Sequence, residues 1–182
     1  MLIIHIKTTK DTEDFSYIYD SLDIFEPTIL INPSKSVAKK AIIAEDNTIV
    51  LIGHGNENGL FNQRMDGFIV DANTVQFLRG KTIIGIWCFA GNFADKYDLS
   101  GFFSSMFISN PSELMDIAGL DDFDNCEEII RDENLAFSNK INNLIRTNVP
   151  TNEWADRLNE SVKDNPHKFV HYNYEAMWSK NN

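Results

Sequence analysis

The chain has 182 residues, 43% of them hydrophobic, and 27 acidic against 16 basic side chains give it a formal charge of −11. That length fits one domain with a core large enough to stand without disulfides. The charge excludes a phosphate-dominated nucleic-acid binder, which carries a basic stripe, and no apolar run reaches the roughly 18–20 residues of a membrane span.

The first half alternates strand and helix. Leu2-Ile3-Ile4-His5-Ile6 is too short and too poorly flanked for a secretory leader, so a strand is expected over 2–7, with His5 packed and hydrogen-bonded. Phe15, Ile18, Tyr19 and Leu22 share one helical face, predicting a helix over 12–22 capped by Asp11 or Thr12. Pro27 to Ile31 reads as a short strand closed by Asn32-Pro33. A helix over 34–44 begins at Ser34 and buries Val37, Ala41 and Ile42. The β-branched run 48–53 is of the kind buried on both faces of a parallel sheet.

After this third strand, Gly59–Phe61 and Phe68–Val70 form a small hairpin insertion turning at Asp66-Gly67. A helix over 72–79 ends at Gly80, a fourth strand covers 82–87, and a helix starts after Ala90-Gly91. Phe102 to Ile108 is the fifth strand. From there the pattern turns helical. Asn110-Pro111-Ser112-Glu113 combines cap, N1 proline and acidic N3, with Leu114, Met115, Ile117 and Ala118 apolar behind it. A helix over 125–147 turns Ile129, Ile130, Leu135, Ile141, Leu144 and Ile145 inward, and another covers 152–163. Phe169-Val170-His171-Tyr172 adds a strand. The expected architecture is a single α/β domain with a mainly parallel sheet, its core in 1–109 and a helical part in 110–182.

Two reactive residues stand at the ends of the two most apolar strands: His54, followed by Gly55, and Cys88. Ligands in such sheets bind beyond the carboxyl ends of the strands. Adjacent strands lie about 4.8 Å apart, so neighbouring strands 48–53 and 82–87 would set imidazole and thiol side by side. A neighbouring imidazolium stabilises a thiolate, and the free N–H groups of a helix starting after Cys88 are expected to help. Gly55, without a side chain, lets its N–H approach a substrate carbonyl.

This arrangement resembles the caspase–hemoglobinase fold of clan CD cysteine peptidases, whose members place His-Gly after one buried strand and Cys after another. The segment from Ile49 to Ile108 carries the resemblance, and the spacing of 34 between His54 and Cys88 is most similar to gingipain-type and other bacterial members. The resemblance implies a caspase-like three-layer sandwich with Cys88 as nucleophile, His54 as general acid and base, and an oxyanion hole made by the Gly55 and Cys88 N–H groups. It puts the substrate pocket near the ends of the first, fourth and fifth strands, at Thr8-Thr9-Lys10, Ile86 and Ser104-Ser105-Met106. Asn56 and Asn92 are further candidates to bind substrate or orient His54. Lys10 would favour an acidic substrate side chain, Asp71 or Asp95 a basic one, and Ile86 gives no support to an aspartate-specific pocket.

The expected function is therefore a cytoplasmic cysteine endopeptidase, bacterial or phage, cutting few protein or peptide substrates without metal or cofactor. The alternative is a caspase-like binding or regulatory module without turnover, using acidic residues such as Asp121-Asp122-Phe123-Asp124 and Glu127-Glu128 as a partner surface. His167 and His171 are spaced to share a metal on a helix, but the expected strand there opposes it. No Gly-x-Gly-x-x-Gly loop follows the first strand, which argues against nucleotide binding.

Overall fold

The computed structural model describes residues 1–115 and 124–180. In chain order the elements are β1 (Leu2–His5), α1 (Lys10–Asp14), β2 (Thr28–Ile31), α2 (Lys35–Ala44), β3 (Thr48–Ile52), β4 (Gly55–Asn56), β5 (Gly59–Phe61) and β6 (Phe68–Val70). They continue with β7 (Thr82–Ile86), α3 (Ala90–Tyr97), β8 (Ser100–Phe103), α4 (Pro111–Met115), α5 (Cys126–Arg146), α6 (Trp154–Ser161), α7 (Lys168–Glu175) and β9 (Trp178–Lys180). Six strands form one sheet in the order β2-β1-β3-β7-β8-β9, parallel except for β9, and β4-β5-β6 form a small antiparallel sheet.

Register explains why the central strands read as unbroken apolar runs. Ile3, Val50, Ile84 and Phe102 lie opposite one another across four strands, and all four face the core that also holds Phe15, Phe137, Ile141 and Trp154. The intervening row, Leu2, Ile49 and Ile83, faces the other side, against Ala38 and Ile42 of α2 and Phe93 of α3. Both faces are covered, so alternation has no polar partner to show in the sequence. The result is a three-layer α/β arrangement with α2, α3 and the small hairpin on one face and α5–α7 on the other.

Several expected elements differ. The helix over 12–22 is a short α1 starting after Thr9, followed by a 3-10 turn over Phe15–Tyr19, with Ser21 left-handed, φ 58°, just beyond it. The Thr12 hydroxyl accepts from the Thr8 and Thr9 N–H groups, and a 3-10 turn serves the i, i+3 pair Phe15 and Ile18 as well as an α-helix does. In α2 the buried residues are Ala38 and Ile42, while Val37 faces solvent. The helix over 72–79 shrinks to one 3-10 turn, Val75–Phe77, with Gly80 left-handed behind it.

The fifth strand is shorter than expected. β8 stops at Phe103, and buried Ile108 instead donates its N–H to, and accepts through its carbonyl from, the Asn173 side chain at 2.7 and 2.9 Å. That Asn sits on α7, where a strand was expected. Phe169, Val170, Asn173 and Tyr174 are the buried positions, a helical spacing that overrides the β-propensity of Phe-Val-His-Tyr. The helix start at Pro111 is as expected, with the Asn110 side chain accepting the Glu113 N–H. Ile117, Ala118 and Asp121–Phe123 lie outside the described residues.

Candidate active site

β3 and β7 are adjacent and parallel, with Ile52 opposite Ile86, and the Gly53 N–H donates to the Ile86 carbonyl at 3.1 Å just past the strand ends. His54 and Cys88 each stand two residues beyond that last pair. Side chains two residues apart share a face, so both belong to the face of Ile52 and Ile86, the side packed by Phe15 and Phe107. They line one cavity of about 20 Å³ together with Ile86, Phe15, Phe107 and Ser109. Each side chain is only partly buried.

Each reactive group also has a partner on a neighbouring segment. The His54 Nε2 is 2.9 Å from the Thr9 hydroxyl, and the Cys88 thiol donates to the Phe107 carbonyl at 3.8 Å. Thr9 follows β1, which flanks β3, and Phe107 follows β8, which flanks β7. The four strand ends thus converge on the same spot. Cys88 and Cys126 are both thiols.

Trp87 points the opposite way, into the core of the α2–α3 face, where its ring meets Phe93 edge-on at 5.8 Å. Its indole N–H donates to the Asn56 carbonyl at 3.2 Å. A Cβ on Gly55 would stand 2.1 Å from Trp87 Cδ1 and 2.5 Å from the Gly59 carbonyl oxygen. Glycine at 55 is thus required by packing, in addition to any part in catalysis. The turn after Trp87 is held by Ser104, whose hydroxyl accepts the Trp87 N–H at 3.1 Å and donates to the Trp87 carbonyl at 2.9 Å.

Other expected site residues are placed differently. Ser104 is fully buried in that brace, which corrects its assignment to a substrate pocket. Ile86 lines the cavity but is a core residue with almost no exposed surface. The Asn56 side chain accepts the Asn58 N–H at 2.8 Å and so closes its own turn. Asn92 is exposed on the first turn of α3, and Ser105 is partly buried beside the brace. Lys10 lies in an adjoining cavity of about 140 Å³, with Asp14, Glu127 and Arg131, which meets the first one at Ser109. Asp71 is engaged by Lys35 at 2.5 Å.

The helix start after Cys88 also departs from expectation. Phe89 is left-handed, φ 66°, and the Ala90 and Gly91 N–H groups donate to the Trp87 and Ser104 carbonyls at 3.1 and 2.9 Å. Those two donors are therefore spent on the turn and not on the sulfur. For Gly55, the ladder with β5 has the Phe61 N–H on the His54 carbonyl at 2.9 Å, which makes Gly55–Leu60 a non-hydrogen-bonded pair. The Gly55 N–H is directed away from β5.

His171 Nε2–H donates to the Asn165 carbonyl at 2.7 Å and His167 caps α7; no group of three metal-ligating side chains forms among the described residues. No helix among them is long and apolar enough to cross a membrane. Thr9 belongs to the segment expected at the pocket, and the structure gives it a contact with His54 that the sequence does not show; Phe107 and Ser109 were missed, because only the path of the chain after β8 brings them beside Cys88. Comparison of the chain with protein-family models, with curated proteins and with solved structures finds no match in any of the three.

Proposed function

We propose that this chain is a cysteine endopeptidase of the caspase–hemoglobinase type, acting on few protein substrates. One observation carries the reading: an imidazole and a thiol share a single cavity at the carboxyl ends of two adjacent parallel strands. The hairpin between those strands and the parallel β8 beside β7 agree with the same resemblance.

In this mechanism the Cys88 sulfur attacks a peptide carbonyl carbon, and the carbonyl π pair moves to oxygen. The oxyanion is held by the Gly55 and Cys88 N–H groups; one such donor typically contributes about 10²–10³ in rate. Collapse of the intermediate breaks the C–N bond, and protonated His54 gives its proton to the leaving amine. Neutral His54 then takes a proton from water as that water attacks the thioester, releasing the acid and restoring the thiol.

The cavity of about 20 Å³ holds roughly one water molecule, so a scissile peptide requires a wider opening than this one. That closure favours one second reading, a module of the same fold that binds without turnover. A thiol-directed electrophile distinguishes reactive from inert sulfur. Cys88 is expected to label faster than Cys126, and His54→Ala to slow Cys88 alone. Equal rates at both cysteines, unchanged by the His54 substitution, would reject the peptidase. Loss of the chain's cellular effect in folded Cys88→Ala supports catalysis, whereas full retention supports the binding module.

A further inference from the structure

β2 ends the six-stranded sheet and pairs, among the described residues, with β1 alone. The Thr28 and Asn32 N–H groups donate to the Met1 and His5 carbonyls, each at 3.0 Å. In a parallel ladder the N–H and C=O of one residue point to the same side, and those of the next residue to the other. Thr28, Leu30 and Asn32 therefore face β1, while Ile29 and Ile31 direct both backbone groups to the open edge.

Their side chains are open as well. Register sets Ile29 opposite Ile3 and Ile31 opposite His5, on the face that carries the 3-10 turns of residues 15–25, and the two isoleucines are 41% and 44% exposed. On those turns Ile24 is 83% exposed and Tyr17 45%. Soluble proteins blunt such edges with charge, proline or a bulge. Thr28-Ile29-Leu30-Ile31 carries none of these within its four residues, although Pro27 and Pro33 stand just outside and limit the edge to that length.

The approach to the strand is acidic: Asp20, Asp23 and Glu26, all exposed, lie on the segment that leads into β2. Beyond the other end the charge is basic, with Lys35 engaged by Asp71 and Lys39 and Lys40 exposed on α2, so the acidic rim is that of the entry side.

The geometry points to β2 as a docking edge for an extended segment of a partner protein, apolar at alternate positions and flanked by lysine or arginine, which adds as a seventh strand. The open backbone row calls for an extended chain, the isoleucines for apolar side chains on one face, and the acidic rim for flanking basic residues. A second copy of the chain is the poorer occupant, since it brings another acidic rim and another charge of −11 to the same edge. The inference stands apart from the His54–Cys88 chemistry.

The probe is a short synthetic peptide of alternating valine and threonine flanked by lysines, with a glutamate-flanked peptide as its control. Amide hydrogen exchange is read by NMR at Ile29 and Ile31. The lysine-flanked peptide is expected to slow both amides by about tenfold or more, and the control to leave them unchanged. Ile31→Lys, which keeps the backbone and the β1 ladder, is expected to abolish the protection. Unchanged exchange, equal protection by both peptides, or slowing that follows protein concentration without peptide would overturn the proposal, the last outcome in favour of self-association.

Discussion

Trp87 joins the two halves of the candidate centre. Its backbone is gripped by Ser104 on one side of the Cys88 turn, and its indole lies on Gly55 and the Asn56 carbonyl on the other. Gly55→Ala has to displace the indole or the Gly59 carbonyl, and overpacking of that kind costs about 1–3 kcal/mol. Urea denaturation is expected to report a loss in that range. Ser104→Ala leaves the buried Trp87 N–H without its acceptor, which also costs about 1–3 kcal/mol. It is expected to loosen the turn and change the Cys88 labelling rate, whereas Ser36→Ala, on the exposed side of α2, should change neither stability nor labelling. A Ser104→Ala protein as stable as the parent would show that the brace is dispensable.

At the scale of elements, the junction of β1 and α1 is pinned by His5. Its Nε2–H donates to the Thr12 carbonyl at 2.7 Å, and its Nδ1 is 3.0 Å from the Tyr19 hydroxyl. Burial lowers its pKa to about 4 from the ordinary 6.5, outweighing the opposing bond to Thr12. The unfolded chain therefore takes up this proton first as the pH falls. The contribution to stability is complete above about pH 6.5 and is lost progressively down to about pH 4, on the order of 3 kcal/mol in all. Unfolding free energies measured between pH 7 and 4 should show this slope, and His5→Gln should remove it. A parent protein with flat stability over that interval would contradict the buried neutral histidine.

The same junction shows what the sequence discloses. Runs such as Ile49–Ile52 and Ile83–Ile86 announce strands covered on both faces, and the residues that end them, His54 and Cys88, are legible because they break that pattern. The Thr9–His54 contact is invisible, since 45 positions separate the two and only the placement of β1 beside β3 unites them. Phe169–Tyr172 misleads for a different reason: β-branched and aromatic residues suit a strand, yet their burial against the α5 side selects the helical period. β9 was missed because Trp178-Ser179-Lys180 is too short to show a period at all. Ser104 was misplaced because the sequence does not tell that β8 ends one residue before it.

For the whole molecule, the charge of −11 works against compaction, since 16 basic side chains, some held in ion pairs such as Arg157–Glu153 and Lys180–Asp98, cannot neutralise 27 acidic ones. Raising the salt concentration from about 0.01 M to 0.15 M shortens the screening length from roughly 30 to 8 Å. The melting temperature is expected to rise over that interval. A fall would mean that the ion pairs outweigh the long-range repulsion.

β9 reaches across the molecule to a part of the sheet laid down long before it in sequence. Trp178 meets Phe103 edge-on at 5.3 Å, and Phe103 directly precedes the serine that grips the Trp87 backbone. A chain cut before Trp178 would leave β8 as a raw margin, prone to stick to its neighbours, and would slacken the thiol-bearing turn from behind. A few residues near the far end would then act as a latch on chemistry some ninety positions upstream.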